Sequence, residues 1–226
     1  MSVLSSSQNA FATDFTISDQ SSCEDPSIGG TWNAGTSTCT VSGLTLNSGD
    51  SLTIASGVTL HNTGNFDIAG TIINSGTITN SGTITNGFSG TEGTINNNAD
   101  GIINNNAGGT VNNVFGFIEN SGTITNSGII TTSGDGITTN NSGGIINNNA
   151  DGTINVDQST FLNNNAGGTI NNNGIIEITG SDMNNSGTIN NSGTINNHFG
   201  SVITNSLVGT INNSGTINSG TLNDIE

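Results

Sequence analysis

Not one Lys or Arg occurs in the 226 residues, against sixteen Asp and Glu, which leaves a formal net charge of −16. Affinity for DNA or RNA rests on cationic side chains that neutralise phosphates and release counterions. Nucleic acid is therefore excluded as a partner, and anionic lipid surfaces are disfavoured for the same reason. No run approaches the ~20 apolar residues of a spanning helix, so membrane insertion is not expected. Hydrophobic residues make up 30% of the chain and charged ones 7%, too little for a large compact core. A composition this biased raises disorder as one outcome. The acids are thinly spread and read first as solubility and colloidal repulsion. Neutral glycans, cations and cationic partners stay open.

Cysteine is scarce as well: Cys23 and Cys39 flank a short small-residue segment that contains Trp32. His61 and His198 are far away and isolated, so nothing completes the four ligands of a structural zinc site. The pair reads as one disulfide, with two free thiols as the alternative. A disulfide implies an oxidising compartment, hence an extracellular or cell-surface protein. Closing a loop of this size contributes about 3 kcal/mol. Ala10-Phe11-Ala12 has the small-x-small form of a signal-peptidase site, but Met1 to Asn9 has neither a basic nor an apolar region. Residues 1–22 read as a leader remnant or flexible terminus.

What the chain has in abundance is one short phrase. Gly76-Thr77-Ile78-Thr79-Asn80-Ser81 runs straight into Gly82-Thr83-Ile84-Thr85-Asn86, and Gly187-Thr188-Ile189-Asn190-Asn191-Ser192 into Gly193-Thr194-Ile195. Longer versions intervene: Ile95-Asn96-Asn97-Asn98-Ala99-Asp100-Gly101 returns as Ile146-Asn147-Asn148-Asn149-Ala150-Asp151-Gly152. The apolar residue recurs every six or eight positions, and helical spacing is absent. A repeat of this length predicts a solenoid. Side chains alternate along a strand, so Ile and the Gly two before it are expected on one side and Thr on the other. The Asn after Ile is read as a corner residue, because Asn tolerates left-handed backbone. Three sides close a coil of roughly 18 to 22 residues, and asparagines stacked coil on coil satisfy one another as ladders. The expected fold is all-β: a parallel β-solenoid of roughly triangular coils over residues 44–226, capped by a Cys-Trp module over residues 23–43. The C-terminus, Thr221-Leu222-Asn223-Asp224-Ile225-Glu226, shows only charges as a guard, which makes end-to-end assembly or continuation plausible.

The module Gly29-Gly30-Thr31-Trp32 with Thr38-Cys39-Thr40, then Gly49-Asp50-Ser51-Leu52-Thr53-Ile54 and Gly57-Val58-Thr59-Leu60, then the hexapeptides, resembles secreted Asn/Gly/Thr-rich repeat proteins of ammonia-oxidising archaea. The resemblance spans nearly the whole chain from Cys23 and implies an extracellular surface protein. It carries over no functional residue.

Chemistry is sparse. Polysaccharide lyases on this kind of fold lean on Arg or Lys, and hydrolases need two facing carboxylates. The acids here are scattered, and Asp100 and Asp151 recur because their repeat recurs. His198 invites comparison with hexapeptide acyltransferases but reads as a solvent-facing residue without a basic neighbour. No enzymatic activity, cofactor or metal is expected. Thr77-Ile78-Thr79, Thr83-Ile84-Thr85 and Thr123-Ile124-Thr125 offer pairs for an ice-binding array, though successive hexapeptides fall on different faces. Asp-Gly corners suggest calcium only weakly, and Asn140, Asn184, Asn190 and Asn212 head glycosylation sequons. The expectation is a structural or surface protein acting as fibre, coat element or adhesin, by self-association or contact with cell-surface glycans and proteins. The alternative is a solenoid that binds ice, carbohydrate or a cation.

Overall fold

A computed structural model describes residues 12–88, 90–218 and 220–224. The chain forms a parallel β-solenoid of about eight turns. Its strands lie on three faces, here A, B and C in the order the chain meets them. Face A stacks Asp14–Ile17, Ser51–Ile54, Thr71–Asn74 and their successors up to Thr221–Asp224, every neighbour parallel. Face B runs from residues 38–41 through 59–62 and Thr77–Asn80 to Thr210–Asn213. Face C runs from residues 43–46 through 65–68 and Thr83–Asn86 to Thr216–Asn218.

Most sides are four-residue strands whose second and fourth residues are buried, and Thr-Ile-x-Asn is the commonest form. The period-2 alternation of a strand thus turns both the Ile and the Asn inward. That corrects the corner reading of Asn. No described Asn has positive φ; among non-glycine residues only Ser37, Gln158 and Ser159 do. The Asn shapes the corner through its amide instead. In the six-residue side after Asn126, Nδ2 donates to the Gly128 carbonyl at 3.2 Å and Oδ1 accepts from the Gly128 N–H at 3.2 Å.

Sides of six and eight residues share one register because the paired segment is four residues in nearly every coil; Thr153–Asp157 and Ile175–Thr179 run to five and pair with each other. The two additional residues sit in the corner, as in the exposed Asn106-Ala107-Gly108 turn, where Gly108 takes φ +83°. Six-residue corners put Gly directly over the coil beneath. A Cβ on Gly122 would lie 2.2 Å from the Gly101 carbonyl oxygen and 2.3 Å from that of Asn98. Face A strands begin at Ser51, Thr71, Thr94, Phe117, Ile137, Phe161, Asp182, Val202 and Thr221, so a coil takes 19 to 24 residues. That is a slightly wider range than the repeat lengths suggest, because some coils carry two or three sides of seven or eight residues and the coil from Thr71 carries one of eleven, from Thr83 to Thr94.

Inside, the second positions stack as aliphatic columns, for instance Leu60, Ile78, Ile103, Ile124, Ile146, Ile170 and Ile189 on face B, all buried. Each contributes ~1.5–3 kcal/mol relative to exposure. The fourth positions stack as asparagine ladders. On face B the Nδ2 of Asn62, Asn80, Asn105, Asn126, Asn148, Asn172 and Asn191 each donates to the Oδ1 of the Asn one coil on, at 2.7–2.8 Å. Asn74 starts the same arrangement on face A, which runs on through Asn97, Asn120, Asn140, Asn164 and Asn185 to the Oδ1 of Asn205. On face C the ladder holds for Asn86 and Asn113 and then gives way to Thr132, Val156 and Ile178 before Asn197.

The ladders are directional, and that explains where polar atoms go unsatisfied. Only Asn74, Asn86 and Asn197 have an Oδ1 that is buried with no partner among the described residues. In each case the coil before supplies Ile54, Ile68 or Ile178 instead of a donating Asn. Asn62, whose ladder also starts below an aliphatic residue (Val41), escapes because the Gly64 N–H reaches its Oδ1 at 3.3 Å.

Candidate functional site

The N-terminal end is built around the Cys23–Cys39 disulfide, with Cα atoms 5.5 Å apart. Asp19 caps the short helix Gln20–Cys23, accepting from the Ser22 N–H at 2.9 Å while the Asp19 N–H donates to Ser22 Oγ. The strand Thr31–Asn33 then pairs antiparallel with residues 38–40 and covers the starting edge of face B there. Trp32 packs against the core. Gly30 leaves the space the sulfurs fill, since a Cβ there would lie 2.6 Å from Cys39 Sγ. Asp14–Ile17, within the segment read as a leader remnant, is a face A rung paired with Ser51–Ile54. Ala10 and Phe11 of the small-x-small motif lie outside the described residues.

His198 is not isolated. Its Nε2 lies 2.7 Å from Glu177 Oε2, and Glu177 Oε1 accepts from Asn196 at 2.7 Å. Asp157, Glu177 and His198 belong to three consecutive coils at the trailing side of face C. Burial, reinforced by the Glu177 charge and partly offset by His198, raises the Asp157 carboxyl above its ordinary range. The coil period brings these three together at sequence separations of about twenty, which a search for short motifs misses. Among the described residues no group of three or more His, Cys, Asp or Glu has the arrangement to hold a metal ion. Asp100 and Asp151 are exposed on turns at different corners.

The Thr pairs are dispersed: Thr77 and Thr79 lie on face B, Thr83 and Thr85 on face C, and Thr123 and Thr125 return to face B with Ile102 and Asn104 between. Of the sequon asparagines, Asn140 is buried in the face A ladder. Asn184, Asn190 and Asn212 point outward and donate to Asn163, Asn171 and Asn190. These outer ladders run opposite to the inner ones, each Asn donating back to the coil before it. A small enclosed void of about 20 Å³ among Ile72, Ile78, Ile84 and their neighbours is wholly apolar and leaves no room for a ligand.

The feature sequence reasoning missed is the outward placement of phenylalanine. Among the described phenylalanines only Phe66 is fully buried, while Phe88, Phe115, Phe161 and Phe199 are exposed and Phe117 is half-buried. All five lie at the corner between faces C and A or at the first outward position of face A. A Phe in the slot that Thr or Ile fills elsewhere was the available signal.

No family model matches the chain. No curated protein matches it either. Among solved structures, one described as the crystal structure of the "TibC-catalyzed hyper-glycosylated TibA55-350 fragment" is 17% identical, covering 96% of this chain and 95% of that one, with a TM-score of 0.19. At that score the two backbones do not superpose as one fold, and nothing about this chain rests on the likeness.

Proposed function

We propose that the protein is a non-enzymatic extracellular rod, serving as a fibre, coat element or adhesin through self-assembly or polar surface contacts. The observation that supports this is the stack itself: coil after coil in one register, held by asparagine ladders inside and out. Its outward rows are mainly Thr, Asn and Ser. Ten stacked face A strands at ~4.8 Å give a rod about 43 Å long. The disulfide is consistent with an oxidising, extracellular setting. The secreted repeat proteins of ammonia-oxidising archaea that the sequence resembles fit the same reading.

Negative-stain imaging of the purified chain, with antibody labelling of intact producing cells, tests it. Label on the cell surface, with rods joined into filaments or sheets or attached to the wall, is the expected result. Isolated rods in solution with no surface label would overturn it.

A further inference from the structure

Three of the five outward phenylalanines, Phe117, Phe161 and Phe199, fall on alternate coils, Phe199 at the corner before its strand; Phe88 lies one coil before Phe117 and is outside that spacing. Phe117 stands in register with Ile137 and then Phe161, and Phe161 continues through Asp182 to Val202, just after the corner that carries Phe199. Along the rod these three rings therefore recur at every second coil, about 10 Å apart at ~4.8 Å per coil. Phe115 adds a ring beside Phe117, against Gly134 of the next coil. Phe199 is wholly exposed and Phe161 is 37% exposed, and neither ring belongs to the buried core. Alongside runs a polar row from the third strand positions, Glu119, Thr139, Asn163 and Asn184. Its members are tied down: Glu119 Oε2 accepts from Asn141 Nδ2 at 2.9 Å, and Asn184 donates to Asn163 at 3.0 Å.

We propose that this edge binds an extended neutral polysaccharide of flat, equatorially linked pyranose units, of the cellulose or chitin type, with one ring platform to every second sugar. The inference rests on the surface-contact reading above and names its ligand class. Aromatic faces offer large apolar area to the C–H faces of such sugars, and the adjoining Glu, Thr and Asn groups hydrogen-bond their hydroxyls. The two-coil period is close to the length of a disaccharide in a chain of this kind. A stack fixed by ladders presents the platforms preorganised, which reduces the entropy lost on binding, and several weak platforms add by avidity. Charge selects among occupants. A formal charge of −16 with no cationic side chain repels anionic polysaccharides and anionic lipid.

The test is co-sedimentation of the full chain with microcrystalline cellulose and with chitin, and gel retardation in a soluble neutral cellulose derivative. Alginate serves as the polyanionic control. The wild type is expected to be retained on at least one neutral polymer and not by alginate. Phe117→Ala, Phe161→Ala and Phe199→Ala should each weaken retention about fivefold, and the triple variant should lose it. Melting temperature checks that the variants fold. No retention of the wild type, or equal retention of a folded triple variant, overturns the inference. So does an oligomer in sedimentation velocity that the triple variant alone abolishes, which would make the occupant a second copy. Surface label and filaments without retention would sink this inference and leave the structural reading standing.

Discussion

Replacing Asn126 by Val and Asn86 by Val makes the same chemical change at two fully buried ladder positions, yet the two should not have the same effect. Val is the natural occupant of this slot at Val156, so shape is not the difference. Asn126 sits mid-ladder: its Oδ1 accepts from Asn105, and its Nδ2 donates to Asn148 Oδ1 at 2.8 Å and to the Thr153 carbonyl at 3.0 Å. Without it, Asn148 Oδ1 becomes a buried acceptor with no donor. Asn105 keeps the carbonyls of Gly109 and Ile129 for its two hydrogens. Asn86 starts its ladder and already has an orphaned Oδ1. Its removal orphans Asn113 Oδ1 but takes away its own orphan, so the number is unchanged. Each variant also strips one backbone carbonyl of an amide donor, that of Thr153 or of Phe117, and each gains similar apolar burial. Asn126→Val additionally removes the acceptor of the Gly128 N–H and one donor to the Gly128 carbonyl. The surplus cost of Asn126→Val is therefore one unsatisfied buried oxygen plus the buried Gly128 N–H, each about 1–3 kcal/mol. Urea titration followed by far-ultraviolet circular dichroism reads it as a lower midpoint at unchanged slope. Equal midpoints, or a lower one for Asn86→Val, would refute directional ladders as the source of stability.

Other outcomes follow from the same structure. Gly122→Ala forces a Cβ onto two carbonyl oxygens and should cost about 3 kcal/mol. Gly108→Ala meets open space and should cost only the ~1–2 kcal/mol of left-handed backbone; a reversed order of melting temperatures would contradict the close-approach argument. Reduction of the disulfide, which bridges a sequence separation of 16, should weaken the cap by about 3 kcal/mol. Hydrogen exchange would show this as faster exchange confined to the first coils, and unchanged rates there would count against a capping role. The raised Asp157 carboxyl means the native state holds more protons than the unfolded one between the ordinary and the raised pKa. Stability therefore falls as pH rises through that window, and the penalty is complete above it. Asp157→Asn should accordingly raise the melting temperature near pH 7, with the gain vanishing near about pH 3; a pH-independent difference would rule the carboxyl out as its origin.

The solenoid was legible in the sequence because its unit is local. A six- or eight-residue phrase with one aliphatic position, repeated with Gly before and Asn after, admits strand and corner and little else. The same locality made the disulfide readable, since Cys23 and Cys39 lie within one short loop, and it exposed the chemical poverty of a chain without Lys or Arg. What the sequence alone could not supply was which of two neighbouring asparagines turns inward. In Thr188-Ile189-Asn190-Asn191 the residue types of the last two are identical, and only the strand's alternation combined with the corner decides that Asn191 joins the core ladder and Asn190 the outer one. Nor could it align Asp157, Glu177 and His198, or Phe117, Phe161 and Phe199. Their separations become whole numbers of coils only once each corner has absorbed its own six- or eight-residue side. Local chemistry fixed the strand and the turn; the accumulated register, a property of the closed stack, decided what stands beside what on its surface.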